Sequence, residues 1–156
     1  MNRFTHQCHM RWSDMDANRH VNNVMYCRYL EEARVHMLFG LLTPEVEQAP
    51  TRTFVVSQQT VRFASPLIYQ LDPITVDIWA TRVQSLSCDL ASEVKGGGRT
   101  YATALTTIVS YDIGTSGIRP LQPEELDRLN HYRGPLPKDF LSGAAPKESL
   151  RPAAAP

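Results

Sequence analysis

Polar and apolar residues alternate near the start of the chain, where Phe4, Cys8, Met10 and Trp12 interleave with Thr5, Gln7, Arg11 and Ser13. A period of two predicts a half-buried strand with those four residues on its inner face. From Asn23 the period changes. Tyr26, Leu30, Ala33, Met37 and Leu41 fall on one helical stripe, widened by Met25, Tyr29 and Leu38, while Arg28, Glu31, Glu32 and Val35 lie mostly off it. Asn22 or Asn23 suits the N-cap, and Gly40 with Pro44 marks the end. The spacing predicts a long helix from Asn23 to about Leu42.

Most of the remaining chain has the period of strands. "FVVSQQTVRF" runs to a break at Ala64-Ser65-Pro66. In "ITVDIWATRV", Ile74, Val76, Ile78 and Ala80 alternate with Thr75, Asp77, Trp79 and Thr81. "CDLASEVK" meets "RTYATALTTIVSYD" across Gly96-Gly97-Gly98, a hairpin signal. Pro123 to Asn130 predicts a short helix, with proline at its first position and Glu124 and Glu125 in its first turn. Residues 134–156 are dominated by proline, alanine and serine, and their composition predicts a disordered tail behind a domain spanning 1–133. A strand, a long helix and then several antiparallel strands make an α+β domain with its sheet wrapped on one helix.

Bulk properties narrow the function classes. At 156 residues the chain is large enough for one core without staples. Lysine plus arginine and aspartate plus glutamate balance at 16 each, so no global field favours nucleic acid or an anionic membrane. The longest apolar runs fall short of a membrane span, and the N-terminus has no signal pattern. Three cysteines, Cys8, Cys27 and Cys88, are odd in number and unevenly spaced, which fits reduced thiols in a cytoplasm.

Several motifs lead nowhere. The three glycines are followed by strand rather than helix, and no lysine-serine pair accompanies them, so they are a turn and not a phosphate loop. Ser116 in "GTSGIR" lacks the glycine spacing of a nucleophile elbow. His6, Cys8 and His9 suggest a metal, but on a strand His9 points away from the other two. Cys27 sits a turn inside the helix beside core residues, where a buried, inert thiol is expected.

"SDMDANRHVNNVMY", Ser13 to Tyr26, holds more polar residues than a turn needs. Asp14 and Asp16 are two apart where the strand ends, so they need not face the same way. Asp16 is close enough to the helix start at Asn23 for its carboxylate to fold back over it. Free N–H groups there carry partial positive charge. A carbonyl oxygen placed on them would find an oxyanion site, each donor worth about 3 kcal/mol. A carboxylate beside that carbonyl can attack it or take a proton from water, which is acyl-transfer chemistry. The alternative is that Asp16, Asn18 and Asn22 are turn and cap residues only, and the local pattern alone slightly favours it.

"RWSDMDANRHVNNVMYCRYLEEAR" resembles the signature of hotdog-fold acyl-CoA thioesterases of the 4-hydroxybenzoyl-CoA thioesterase type. These share a strand, an aspartate-x-aspartate turn, a histidine-valine-asparagine-asparagine run and a helix with an early tyrosine. The likeness extends over most of Arg3 to Tyr132, including "VRFASPL" and "RPLQPEEL". It implies a hotdog fold, an antiparallel sheet wrapped around one long central helix. By position it implies Asp16 as catalytic carboxylate and the Asn23 N–H as the carbonyl-polarising donor. His20, Asn22 and Tyr26 would line the substrate site. Arg19 departs from the family, standing where many relatives have glycine, and there it would reshape the turn or meet the phosphates of coenzyme A. The expected substrate is an acyl-CoA, with no metal and no separate cofactor. Hotdog sites form between subunits, so a homodimer or homotetramer is implied. The alternatives are a thioesterase acting on acyl carrier protein and a catalytically silent hotdog protein that binds acyl groups or serves in assembly.

Overall fold

Alternating positions and one glycine turn generate a single antiparallel sheet. The computed structural model describes residues 1–42 and 51–141. Its strands are β1 (Phe4–Cys8), β2 (Arg52–Phe63), β3 (Ile74–Val83), β4 (Ser87–Gly96), β5 (Arg99–Asp112) and β6 (Gly117–Ile118), and its helices α1 (Asn23–Leu42), α2 (Pro123–His131) and α3 (Lys138–Leu141). The sheet order is β1-β3-β4-β5-β2, with the short β6 added to β5. Gly97 and Gly98 adopt φ of 55° and 75° between β4 and β5, the positive values that a tight hairpin requires.

Helix α1 has the predicted bounds, and its stripe is buried. Tyr26, Tyr29, Leu30, Ala33, Met37 and Leu38 join Ile74, Val76, Ile78, Leu90, Val94 and Ile108 of the sheet in one core. Each fully buried large aliphatic side chain contributes about 1.5–3 kcal/mol, so packing on the sheet holds this helix more than propensity does. The long helix lies against β1, β2, β3 and β4, and the whole is a hotdog fold. Arg34 extends the buried face toward β2, where its guanidinium donates to Gln59 Oε1 at 3.3 Å and burial lowers its pKa. Among the described residues no helix is long and apolar enough to cross a membrane.

Three sequence expectations need correction. The first strand ends at Cys8, and Trp12 enters a single 3-10 turn, Trp12–Asp14, that leaves its ring 70% exposed rather than on the inner face. Cys27 is exposed, because one residue beyond Tyr26 is a turn of about 100° away from the buried stripe. Cys8 and Cys88 are the buried thiols, each pushed up to about 12 chiefly by burial. Trp79, expected on the solvent side of β3, is buried under the chain that follows α2. Its indole N–H donates to Pro135 O at 2.7 Å, Gly134 N donates to Ala80 O at 2.8 Å, and Arg3 lies 4.1 Å over its ring. A Cβ on Gly134 would come within 2.6 Å of the indole, so only glycine fits this crossing. Residues 134–141, which composition groups with the tail, are thus docked on the sheet, while the other tail residues and the Pro44 stop signal lie outside the described residues.

The turn before α2 is held by a buried ion pair. Arg119 donates to both oxygens of Glu125, at 2.8 and 2.7 Å, and Gln122 N adds a third bond at 2.8 Å. Burial alone would raise the Glu125 pKa, but these donors outweigh it and hold it below the usual carboxylate range. A depressed folded pKa means the contribution is complete above the unfolded value and is lost as pH falls through the folded one. Glu125→Gln strands the Arg119 charge and is expected to lower unfolding free energy by about 3 kcal/mol at neutral pH. Urea denaturation across pH should show the mutant with a flatter acid limb. A loss below about 0.5 kcal/mol would mean that the pair contributes no more than an exposed one.

Candidate active site

The 3-10 turn and the loop behind it are built around Asp14, which is only 4% exposed. Its Oδ2 accepts the Arg11 N–H at 2.8 Å and the Tyr29 hydroxyl at 2.5 Å, and its backbone carbonyl accepts Asn22 N–H at 2.9 Å. One buried residue therefore connects the chain after the first strand, the second turn of the helix and the helix start. For Tyr29, burial and then its bond to Asp14 raise the hydroxyl pKa, which keeps it a neutral donor.

Between Met15 and Val21 the chain closes a tight loop. Those two residues form a bridge, Asp16 N donates to His20 O at 2.9 Å and Arg19 N donates to Asp16 O at 3.0 Å. The reversal requires a left-handed residue, and Arg19 supplies it with φ 60°. That conformation favours glycine, the residue that the family resemblance implies at this position. Val21 N then donates to Leu67 O at 2.8 Å, tying the loop to the segment after β2.

Asp16, half-buried, points one carboxylate oxygen at its own turn, where Oδ1 accepts Asn18 N–H at 2.8 Å. Among the described residues the other oxygen has no partner. Asn22 caps α1, with its Oδ1 taking Val24 N–H at 3.0 Å and its carbonyl taking Met25 N–H at 2.9 Å. The Asn23 N–H has no acceptor among the described residues. A free carboxylate oxygen and a free helix-start N–H on one short loop can serve attack and oxyanion binding.

A cavity of about 680 Å³ opens beside this loop, lined by Trp12, Ser13, Met15, Asp16, Arg19, Ile68 and Tyr69. Of the residues singled out in the sequence, it gathers Asp16 and Arg19. His20, half-buried, and Asn22 and Asn23 stand on the loop and the helix start but are not among its walls. Tyr26 is in the core, its ring edge-on to Phe63 at 5.1 Å, and burial raises its hydroxyl to about 12 despite a backbone hydrogen bond from Leu67. The apolar walls escaped the sequence reading. Trp12 meets Tyr69 edge-to-face at 5.6 Å, and Ile68 is exposed in a proline-flanked loop. The available signal was a loop, "SPLIYQLD", with more large apolar residues than a solvated connection carries.

The model of the thioesterase-like superfamily matches residues 10–141. Similar solved structures include a predicted thioesterase from Bacillus stearothermophilus, 20% identical with TM-score 0.78, covering 87% of this chain and 100% of that one. A hypothetical protein of Staphylococcus aureus, SAV2348, solved in complex with CoA, has 14% identity and TM-score 0.79 over 92% of this chain and 95% of its own. The gentisyl-coenzyme A thioesterase BH1999 has 20% identity and TM-score 0.70, covering 80% and 98%. No curated protein matches the sequence.

Two substitutions test the loop's construction. Arg19→Gly relieves left-handed strain of about 1–2 kcal/mol but gives back about 0.5–1 kcal/mol of chain entropy. It should therefore leave the melting temperature equal or slightly higher, whereas Arg19→Val should lower it. Asp14→Asn removes a charged acceptor from a buried site, and a loss of about 2 kcal/mol in denaturant unfolding is expected. Unchanged stability in both Arg19→Val and Asp14→Asn would show that neither residue shapes the loop.

Proposed function

The chain belongs to the thioesterase-like superfamily, and from that premise we propose that it hydrolyses an acyl-CoA thioester to free acid and coenzyme A, with Asp16 as the catalytic carboxylate. The observation that supports this reading is that Asp16 lines the cavity with one carboxylate oxygen unpartnered among the described residues, on the loop that leads into the helix start at Asn23. The thioester carbonyl oxygen would accept from Asn23 N–H, whose helix dipole favours the charge that develops there. Asp16 then acts in one of two ways. As nucleophile it bonds to the carbonyl carbon and expels the coenzyme A thiolate, and water cleaves the resulting anhydride. As base it takes a proton from the water that attacks. Either route consumes one water and releases the acid and the thiol. The Asn18 N–H on Oδ1 would hold the carboxylate and leave its other oxygen for the thioester or a water.

The cavity walls suit the rest of such a substrate. Trp12, Met15, Ile68 and Tyr69 offer apolar surface for the acyl group or the pantetheine arm, and Arg19 supplies a cation for a phosphate. His20 and Asn22 would act by holding the loop and the cap rather than by touching substrate, and Tyr26 by packing beneath it. Within the superfamily, the aspartate, histidine and asparagine spacing points to the 4-hydroxybenzoyl-CoA thioesterase type. The CoA complex of SAV2348 and the gentisyl-coenzyme A activity of BH1999 belong to those proteins and support coenzyme A as the carrier here. The working unit would be a homodimer or homotetramer. Edge strand β2, twelve residues long, exposes Val55, Val56 and Phe63, the kind of edge that a second copy covers.

Asp16→Asn keeps the Asn18 bond and the side-chain shape, so folding should be intact while turnover falls about a hundredfold or more with KM little changed. The assay is thiol release from a panel of acyl-CoAs, with circular dichroism as the folding control. Wild-type turnover in the mutant would leave Asp16 as a turn residue, and no hydrolysis of any acyl-CoA or acyl carrier protein by the parent would favour a silent binding protein.

A further inference from the structure

Outside the loop, one group of side chains converges without a role in the proposed reaction. His6 stands on β1 on the same face as Phe4 and Cys8, turned toward α1. Helix α1 presents Glu32 and His36 one turn apart, beside its buried stripe. One ligand atom from each of the three lies within 4.8 Å of the others. His6 Nε2 is 3.3 Å from Glu32 Oε1, and the His6 and His36 rings stack at 4.2 Å between centroids with an interplanar angle of 21°. As an ion pair this is poorly made, since charge-assisted N–H···O bonds close to about 2.7–2.9 Å. As a ligand edge it fits, because nitrogen and oxygen ligands about 2.0–2.1 Å from a tetrahedral ion stand about 3.3 Å apart.

We propose that His6, Glu32 and His36 bind a divalent transition metal of the zinc class, with water completing its coordination, and that the ion staples edge strand β1 to helix α1. Two imidazoles and one carboxylate suit zinc, cobalt(II) or nickel(II) rather than calcium or magnesium, which prefer oxygen alone. Glu32 and His36 are exposed and His6 half-buried, so an ion reaches the site from solvent without unfolding. A rotation of the His36 ring opens the stack and brings both nitrogens onto one ion. The set shares His6 with the cluster dismissed from the sequence, where no metal was expected, but replaces Cys8 and His9 by ligands from the helix. It is not part of the acyl site, because Glu32 and His36 lie about 14 and 20 Å along the helix axis from Asn23. Metal held only by the folded state raises stability with ion concentration.

The test uses full-length protein stripped with chelator and titrated with zinc by calorimetry and with cobalt(II) by absorbance. We expect one ion per chain with micromolar or tighter affinity, a tetrahedral cobalt spectrum and a melting temperature that rises with zinc. Glu32→Gln and His36→Ala, both surface changes, should each weaken binding by about tenfold or more and abolish the thermal shift. His9→Ala should bind like the parent. Thioester hydrolysis should be the same with chelator or zinc. Unaltered affinity in both Glu32→Gln and His36→Ala, no binding at micromolar zinc, or hydrolysis that requires the ion would each overturn the proposal.

Discussion

A buried carboxylate must be satisfied from several directions at once, and Asp14 achieves this by gathering three parts of the chain. It takes the Arg11 N–H before the 3-10 turn, the Tyr29 hydroxyl from the second turn of α1 and, through its own carbonyl, the Asn22 N–H at the helix cap. Removing any one donor would leave charge or a polar group unpaired out of water, at about 1–3 kcal/mol. The loop from Met15 to Val21 hangs from this anchor, so Asp14 helps to set where Asp16 stands. The same anchor brings Asn22 to its capping position, which occupies the Val24 and Met25 donors and leaves the Asn23 N–H open. Burial at Asp14 and availability at Asp16 are two results of one arrangement.

The sheet supplies the rigid side of this arrangement. Leu67 O holds Val21, and the segment that carries it places Ile68 and Tyr69 opposite Trp12. The cavity is therefore formed by two loops, each tied to the body by backbone hydrogen bonds. On the outer face, the chain after α2 covers Trp79 and docks through Gly134 and Pro135, which closes a surface that strand alternation would leave to water. Among the described residues nothing pairs with the outer edge of β2, and the proposed oligomer answers that exposure.

Features set by neighbours in the chain were legible. The α1 bounds follow from the stripe and the Asn22 cap, and the β4–β5 turn follows from glycines that accept positive φ. The likeness of the Arg11 to Arg34 stretch to hotdog thioesterases pointed to the hotdog fold, which the superfamily match and the sheet order bear out. Features set by tertiary partners were not legible. A spacing of two between Asp14 and Asp16 does not say which is buried, because a 3-10 turn interrupts the strand period. Trp12 reads as an inner-face residue until that turn swings it outward to meet Tyr69, which is far along the chain. Trp79 reads as exposed until a proline-rich segment crosses it. His6 looked like half of a failed metal motif because its neighbours Glu32 and His36 belong to another element. The strained φ of Arg19 lay in between: its departure from glycine flagged the position, and only the backbone showed why.

The most direct measurement is a crystal structure with a non-hydrolysable ketone analogue of an acyl-CoA. If Asp16 and the helix start form the reacting pair, the ketone oxygen will lie about 2.7–3.1 Å from Asn23 N. The free Asp16 oxygen, or a water bound to it, will lie about 3–3.5 Å from the carbonyl carbon. A ketone bound in the same cavity with its oxygen turned away from Asn23 and its carbon out of reach of Asp16 would contradict that pairing.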